Sequence, residues 1–291
     1  DSDTKFLLMS DIEKRLNKES KTNVCIKVNK LTDSQFEIYG RGELQLAVLL
    51  ENLRREGYEL QVAAPKVLIK TDENGKEMEP FDIVTIECPK VHISDIMEFF
   101  DMSMGELVSY EPDYSKDTSK IEYIVGIRCL LGYEMKFKTD TKGAGKMNKR
   151  FHEYREYNRE YKRPTTLKLI ATSPGKATFY GINKIEDKAR IMYITPNDDV
   201  YEGQIIGETN ATHEIEANPA QTKKLTNMRS NYKDEMVTLK EPKTLFLEEM
   251  LTKIQDDELL EITPNKIRLR KTILFNKERI KSRKQGKDMS I

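Results

Sequence analysis

The sequence predicts an α+β protein: two successive α/β regions, the first one strand short, followed by a mostly β region with one helix. Three observations carry this reading. After Gly42 apolar residues return at helical spacing, and the order βαββαβ occurs in full between residues 65 and 163. From Arg163 onward, short β-prone runs alternate with turn pairs such as Pro174-Gly175 and Pro196-Asn197. At 291 residues the chain has room for two or three cores. The expected divisions are residues 1–64, 65–163 and 164–291.

In residues 1–64, Ser10-Asp11-Ile12-Glu13 has the form of a capping box and opens a helix. Strands follow near residues 24–28 and 35–39. Gly40 and Gly42 let the chain turn out of the second strand, and Leu44, Val48, Leu49 and Leu53 then form a core-facing helical stripe. Arg54 and Arg55 suit the negative end of the helix dipole, and Gly57 ends the helix. A last strand near residues 58–62 completes αββαβ, one leading strand short of a split βαβ fold. Residues 65–163 supply the whole plan: a strand over 83–87, a helix over 92–102, strands over 106–110 and 121–125, a helix from Arg128 and a closing strand after Gly145. Beyond them lie β-prone runs at 165–171, 177–180, 189–193 and 204–207, one helix over 247–254 and a late strand at 267–269.

Lys and Arg number 49 and so do Asp and Glu, giving a net charge of zero that hides an uneven distribution. Ten Lys or Arg residues stand between Lys266 and Lys287 against the single acid Glu278, just after the acids Asp256, Asp257, Glu258 and Glu261. The acids read as a solvated turn, and the basic tail as either a solvated tail or a polyanion-facing end. No apolar run approaches the roughly 20 residues of a membrane helix, so no membrane partner is expected. Cys25, Cys88 and Cys129 are odd in number and widely spaced, which suits reduced thiols in a cytosolic or organelle-matrix compartment.

Motifs for catalysis are missing from the chain. A phosphate loop needs Gly-x-x-x-x-Gly-Lys-Ser/Thr, because its backbone donors and lysine hold phosphate while its hydroxyl holds magnesium. Gly75-Lys76, Gly145-Lys146, Gly175-Lys176 and Gly286-Lys287 are followed by Glu, Met, Ala and Asp. Asn183-Lys184-Ile185-Glu186 is a faint and isolated echo of a guanine-reading motif. His92, His152 and His213 have no Cys or His partner at metal-ligand spacing. No catalytic, metal or cofactor site is expected here.

The stretch 218–234 is the strongest candidate site, being long for a hairpin loop. Lys223, Lys224, Arg229 and Lys233 offer phosphate-binding charge, Thr226, Asn227 and Asn231 hydrogen bonds, and Met228 and Tyr232 apolar or stacking surface. Arg128, Arg268, Arg270 and Lys271 are further candidate RNA contacts.

Residues 40–60, GRGELQLAVLLENLRREGYEL, resemble the third domain of translational GTPases of the BipA/TypA type, relatives of elongation factor G. Ala64-Pro65-Lys66-Val67 and Arg128-Cys129-Leu130-Leu131-Gly132-Tyr133 resemble the entry to, and a helix start in, the family's next domain. VYEGQIIG at 200–207, KKLTNMR at 223–229, DDELLEITP at 256–264 and IRLRK at 267–271 continue the resemblance, the last three into a C-terminal domain peculiar to BipA/TypA. The resemblance implies two consecutive ferredoxin-like domains, corresponding to domains III and V of elongation factor G, then the BipA/TypA-specific domain. The missing first strand would lie just upstream of Asp1, and GTP and magnesium would belong to a preceding domain. By the same resemblance the loop reaches ribosomal RNA of the large subunit near the A site and the tRNA acceptor end. Ribosomal proteins are further expected partners, and the chain is expected to be a monomer. It is expected to be cytoplasmic and ribosome-associated, or else in a plastid or mitochondrial matrix, serving translation, ribosome assembly or stress adaptation. Gln45, Ser103-Met104, Cys129, Asp187-Lys188-Ala189 and Asn231-Tyr232 depart from the family pattern, and several of these departures remove cations. The competing expectation is a protein-interaction scaffold that has lost RNA binding.

Overall fold

The structure is a computed structural model that describes residues 8–113, 115, 117–159, 161, 166–222, 238–244 and 246–284. The chain opens with α1 (Met9–Thr22), β1 (Lys27–Thr32), β2 (Gln35–Tyr39), α2 (Glu43–Glu56) and β3 (Leu60–Ala63). There follow β4 (Lys70–Thr71), β5 (Glu77–Pro89), α3 (Ile93–Met102), β6 (Glu106–Asp113), β7 (Thr118–Gly126), α4 (Ile127–Leu130), α5 (Tyr133–Asp140) and β8 (Lys146–Glu156). Next come β9 (Leu167–Ala171), β10 (Gly175–Lys176), α6 (Phe179–Glu186), β11 (Ala189–Met192), β12 (Asp199–Val200) and β13 (Gln204–Thr209). The described chain closes with β14 (Ile215–Ala217), α7 (Leu247–Lys253), β15 (Glu258–Ile262), β16 (Ile267–Lys271) and α8 (Asn276–Lys284). This is an α+β fold, and it divides into two units: Pro65–Pro164, and Asp1–Ala64 together with Thr165–Ile291.

In the unit of residues 65–164, β8, β5, β7 and β6 lie side by side in that order, every neighbour antiparallel, with β4 added to β5. Counted along the βαββαβ chain the order is 4-1-3-2, the arrangement of a ferredoxin-like sheet. Alternation decides which face is covered: Ile121, Tyr123 and Val125 of β7 are buried together with Val84, Ile86 and Cys88 of β5. Ile93, Ile96 and Phe100 of α3 and Tyr133 and Phe137 of α5 complete this core. Phe100 stacks on Tyr123 at 4.8 Å, and Phe99 on Tyr133 at 3.8 Å.

In the other unit the N-terminal segment runs αββαβ as expected, but its last strand leaves the hairpin. β1 and β2 pair with each other, while β3 pairs antiparallel with β15, Leu60 opposite Ile262 and Val62 opposite Leu260. Leu60 and Val62 join a core of Met250, Leu251, Leu260 and Ile262, so residues 1–64 and 165–291 share one sheet. Its order is β14-β9-β13-β16-β15-β3, with β11 also paired to β13. Among the described residues only the β14–β9 pair of this sheet is parallel.

Several local expectations change. Helix α1 begins at Met9 after Leu8, with no side-chain cap, so Ser10 lies inside the first turn and is no capping box. The buried stripe of α2 is Ala47, Leu49, Leu50 and Leu53, whereas Leu44 and Val48 are 60% and 51% exposed. Two clusters explain the shift: Leu49 and Leu53 pack with Ile12 and Leu16, while Ala47 and Leu50 pack with α7 and the sheet. Gly57 closes α2 in the left-handed region at φ 100°, donating to Leu53 and Arg54 carbonyls nearby. The run 177–180, expected as a strand, opens helix α6, and residues 276–284 of the basic tail are helical as well.

Candidate nucleic-acid interface

Helix α6 exists because Thr178 caps it. The Thr178 hydroxyl accepts a hydrogen bond from the Gly181 amide at 2.9 Å, and Ile182 and Ile185, three residues apart, bury against Leu169 and Met192. The same cap fastens the chain that enters the basic stretch. Thr178 Oγ1 donates to the Gln221 carbonyl at 2.5 Å, and the Thr178 amide donates to the Pro219 carbonyl at 2.9 Å. Only glycine fits at position 181, since a Cβ there would stand 2.2 Å from the Pro219 carbonyl oxygen. One turn on, Lys184 Nζ donates to Gln221 Oε1 at 3.2 Å.

The far end of α6 holds the returning chain. The carboxylate of buried Glu186 accepts from the Lys240 amide at 2.5 Å, and the Lys243 amide donates to the Met192 carbonyl at 2.8 Å. From Thr178 to Glu186 is eight residues, so the two anchors stand about 12 Å apart along the helix. Helix α6 therefore fixes both flanks of the basic stretch. Lys223, Lys224, Thr226, Asn227, Arg229 and Lys233 themselves lie outside the described residues. The Asn183-Lys184-Ile185-Glu186 run is thus accounted for by packing and anchoring.

The other nominated cations are dispersed, and most are committed to the fold. Arg128 belongs to the 65–164 unit, where it forms an ion pair with buried Glu79 at 3.2 Å and donates to the Asn158 carbonyl at 2.7 Å and the Tyr157 hydroxyl at 2.9 Å. Its guanidinium lies 4.4 Å from the Tyr157 ring centre, so it clamps the exit of β8. Arg270 pairs with Glu261 at 2.9 Å and donates to Gln61 Oε1 at 2.9 Å. Lys271 is 1% exposed and meets Glu214 at 2.5 Å, Asp257 at 2.9 Å and Glu258 at 3.1 Å. It has no face left for phosphate. Its position was legible, because Ile267, Leu269 and Lys271 alternate on the buried side of β16 while Arg268 and Arg270 take the other. Arg268 is half-buried and lines an open cleft between α2, α7 and β16 with Leu44, Val48, Phe246 and Lys266.

Glu258 is fully buried rather than part of a solvated turn. It belongs to an array of charges between the sheet and α7: Lys168 stands 3.9 Å from Glu208, which meets Lys253 of α7 at 2.7 Å and receives the Tyr193 hydroxyl, and Lys253 meets Glu249 at 3.1 Å. Burial pushes the Lys168 ammonium below its ordinary value and the Glu258 carboxyl above its own. Burial also opposes the charge on Lys271, but Glu258, Asp257 and Glu214 together hold that ammonium above its usual value. In α8, buried Arg279 meets Glu216 at 3.1 Å and donates to the Ile273 carbonyl at 3.0 Å, while Lys277, Lys281 and Lys284 remain exposed.

Sequence reasoning missed Phe179 and Tyr180, which stand exposed on the first turn of α6 beside the loop flank. The signal was Thr178 three residues before Gly181, a cap hidden inside a run of β-prone residues. Among the described residues no group of three or more His, Cys, Asp or Glu side chains could hold a metal ion, and no helix is long and apolar enough to cross a membrane.

Residues 166–276 match the family model of the TypA/BipA C-terminal domain, and residues 76–164 that of the elongation factor G C-terminus. The chain is 39% identical over 277 residues to the large ribosomal subunit assembly factor BipA of Haemophilus influenzae, covering 94% of this chain and 44% of that protein. To the protein of the same name from Synechocystis it is 40% identical over 268 residues, covering 92% and 44%. To that of Bacillus subtilis it is 37% identical over 289 residues, covering 99% and 47%. The chain spans about half the length of the curated relatives it matches. The ferredoxin-like sheet falls within the elongation factor G match and the α6-bearing sheet largely within the other; the chain belongs to the BipA/TypA family.

Proposed function

We propose that this chain is the ribosome-docking part of a BipA-type factor, engaging large-subunit ribosomal RNA near the A site through the basic stretch 218–234 in support of ribosome assembly, translation or stress adaptation. GTP and magnesium would be handled by a domain outside these residues, and the chain would act as a monomer in the compartment of its ribosomes. One observation carries the reading: α6 pins both flanks of a stretch rich in Lys, Arg and Asn, in a chain whose relatives are named large ribosomal subunit assembly factors. Preorganised flanks lower the ordering cost of docking, and the cations supply the attraction to phosphate.

A scaffold that meets only protein is the second reading, favoured by the internal commitment of Arg128, Arg270 and Lys271. Salt separates the two. RNA docking releases counterions, so affinity for isolated large subunits should fall steeply and linearly on a log–log plot against salt. Salt-independent co-sedimentation would favour the scaffold.

A further inference from the structure

We infer that Phe179 and Tyr180 form a stacking platform for unpaired nucleotides of the RNA that the adjacent basic stretch engages. This rests on the RNA-docking reading above. Phe179 is 47% exposed and Tyr180 38%, two neighbouring rings on one helical turn.

Their surroundings select the partner. Lys176 is exposed three residues earlier, and Lys184 lies one turn after Tyr180 on the same face, with its ammonium at the Gln221 side chain of the loop flank. Of the acids nearby, two are engaged, while Asp187 and Asp199 are exposed. Glu186 is buried against the Lys240 amide, and Asp198 is held by Thr195 and Lys266. Asp199 stands opposite Lys176 in the β10–β12 pair, with no ion pair between them among the described residues. Aromatic rings flanked by lysines recognise bases stacked face-on, with phosphates neutralised at the edge. Paired bases in a duplex offer no such face, so the platform takes single-stranded RNA. Its geometry is fixed in advance, because the same turn carries the Thr178 cap and the close seat of Gly181 on Pro219.

The chain contains no tryptophan, which makes a clean test available. In the full chain, Phe179→Trp installs the sole indole; titration with a short single-stranded oligoribonucleotide should quench its fluorescence, and the same sequence in a duplex should not. The Phe179→Ala/Tyr180→Ala variant should bind the single strand about five-fold or more weakly, bind duplex unchanged, and melt like the parent. Phe179→Trp and Tyr180→Phe should retain parent affinity, since both keep a stacking face. An unquenched indole, with parent-like affinity of the double alanine variant for an RNA the parent does bind, overturns the platform and leaves RNA docking intact. Weakened ribosome binding by that variant without any change on oligonucleotides also overturns it, assigning the rings to a protein. Failure of the parent to bind ribosomes or either RNA overturns both readings.

Discussion

In the unit of residues 65–164 the covered face of the sheet is closed by Val84, Ile86, Ile121, Tyr123 and Phe100, with aromatic rings stacked across it. In the other unit the sheet carries Lys168, Glu208, Glu258 and Lys271 into the interior, each within reach of opposite charge. The contrast separates two kinds of cation. Apolar side chains tolerate exchange within limits of volume, whereas a buried charge is tolerated only while its partners stay. The cations of β16 are therefore largely spent on folding, and charge free to meet a polyanion has to be sought elsewhere, beside α6 and along α8.

The contrast can be broken by deleting one member on each side. Lys271→Ala leaves Glu258 buried without its lysine and should cost about 3–5 kcal/mol, read by denaturant unfolding. Phe100→Ala should cost a similar ~3–5 kcal/mol through the cavity it opens. The two should differ in rescue. A Lys271→Met/Glu258→Leu pair should recover part of the loss, because an apolar pair replaces a buried ion pair at little cost while Lys168 keeps Glu208. No single distant change should rescue Phe100→Ala. If Lys271→Ala unfolds like the parent, the ionic array contributes nothing to the fold.

A smaller effect is expected at the seat of the loop flank. Gly181→Ala forces a Cβ to 2.2 Å from the Pro219 carbonyl oxygen, so it should destabilise by about 1–3 kcal/mol and weaken ribosome binding with every cation still present. Parent-like binding and melting would show that α6 does not set the path of the loop.

The pH response sharpens the same contrast from the apolar side. Burial pushes the Cys129 thiol up to about 11, from an ordinary value near 9. The unfolded chain loses that proton first, so this contribution to stability is present below pH 9 and is lost as pH rises through 11. At pH 8 only Cys25, which is exposed, should react promptly with a thiol reagent, while Cys88 and Cys129 wait for unfolding. Prompt reaction of all three would contradict the closed core.

The ferredoxin-like sheet was legible because its elements are local and periodic: β7 alternates residue by residue, and α3 follows directly from β5. The pairing of β3 with β15 was not, since nothing in residues 60–63 names a partner almost 200 residues away. Helix α6 was hidden because Thr178, Phe179 and Tyr180 favour strands intrinsically, and only the cap and the burial of Ile182 and Ile185 overturn that preference. Glu258 looked solvated because acids in a row are hydrophilic; its burial depends on Lys168 and Lys271, which meet it only in the folded sheet. Of the site, the charge of the loop could be read from sequence, but its anchoring and its aromatic neighbours could not.

Calorimetry with GTP and magnesium should show no heat beyond dilution, because no Gly-x-x-x-x-Gly-Lys-Ser/Thr can be written from these residues. Micromolar binding would contradict the assignment of nucleotide chemistry to another domain.

The most direct measurement compares the parent with a Lys223→Ala/Lys224→Ala/Arg229→Ala variant for affinity to isolated large ribosomal subunits across a salt series. Up to three phosphate contacts disappear, so binding should weaken and the slope of log affinity against log salt should fall by up to about three units. The variant should melt like the parent, as surface substitutions away from caps and cores usually stay within roughly 0.5 kcal/mol. An unchanged slope and affinity in this folded variant would contradict docking through the stretch that α6 holds.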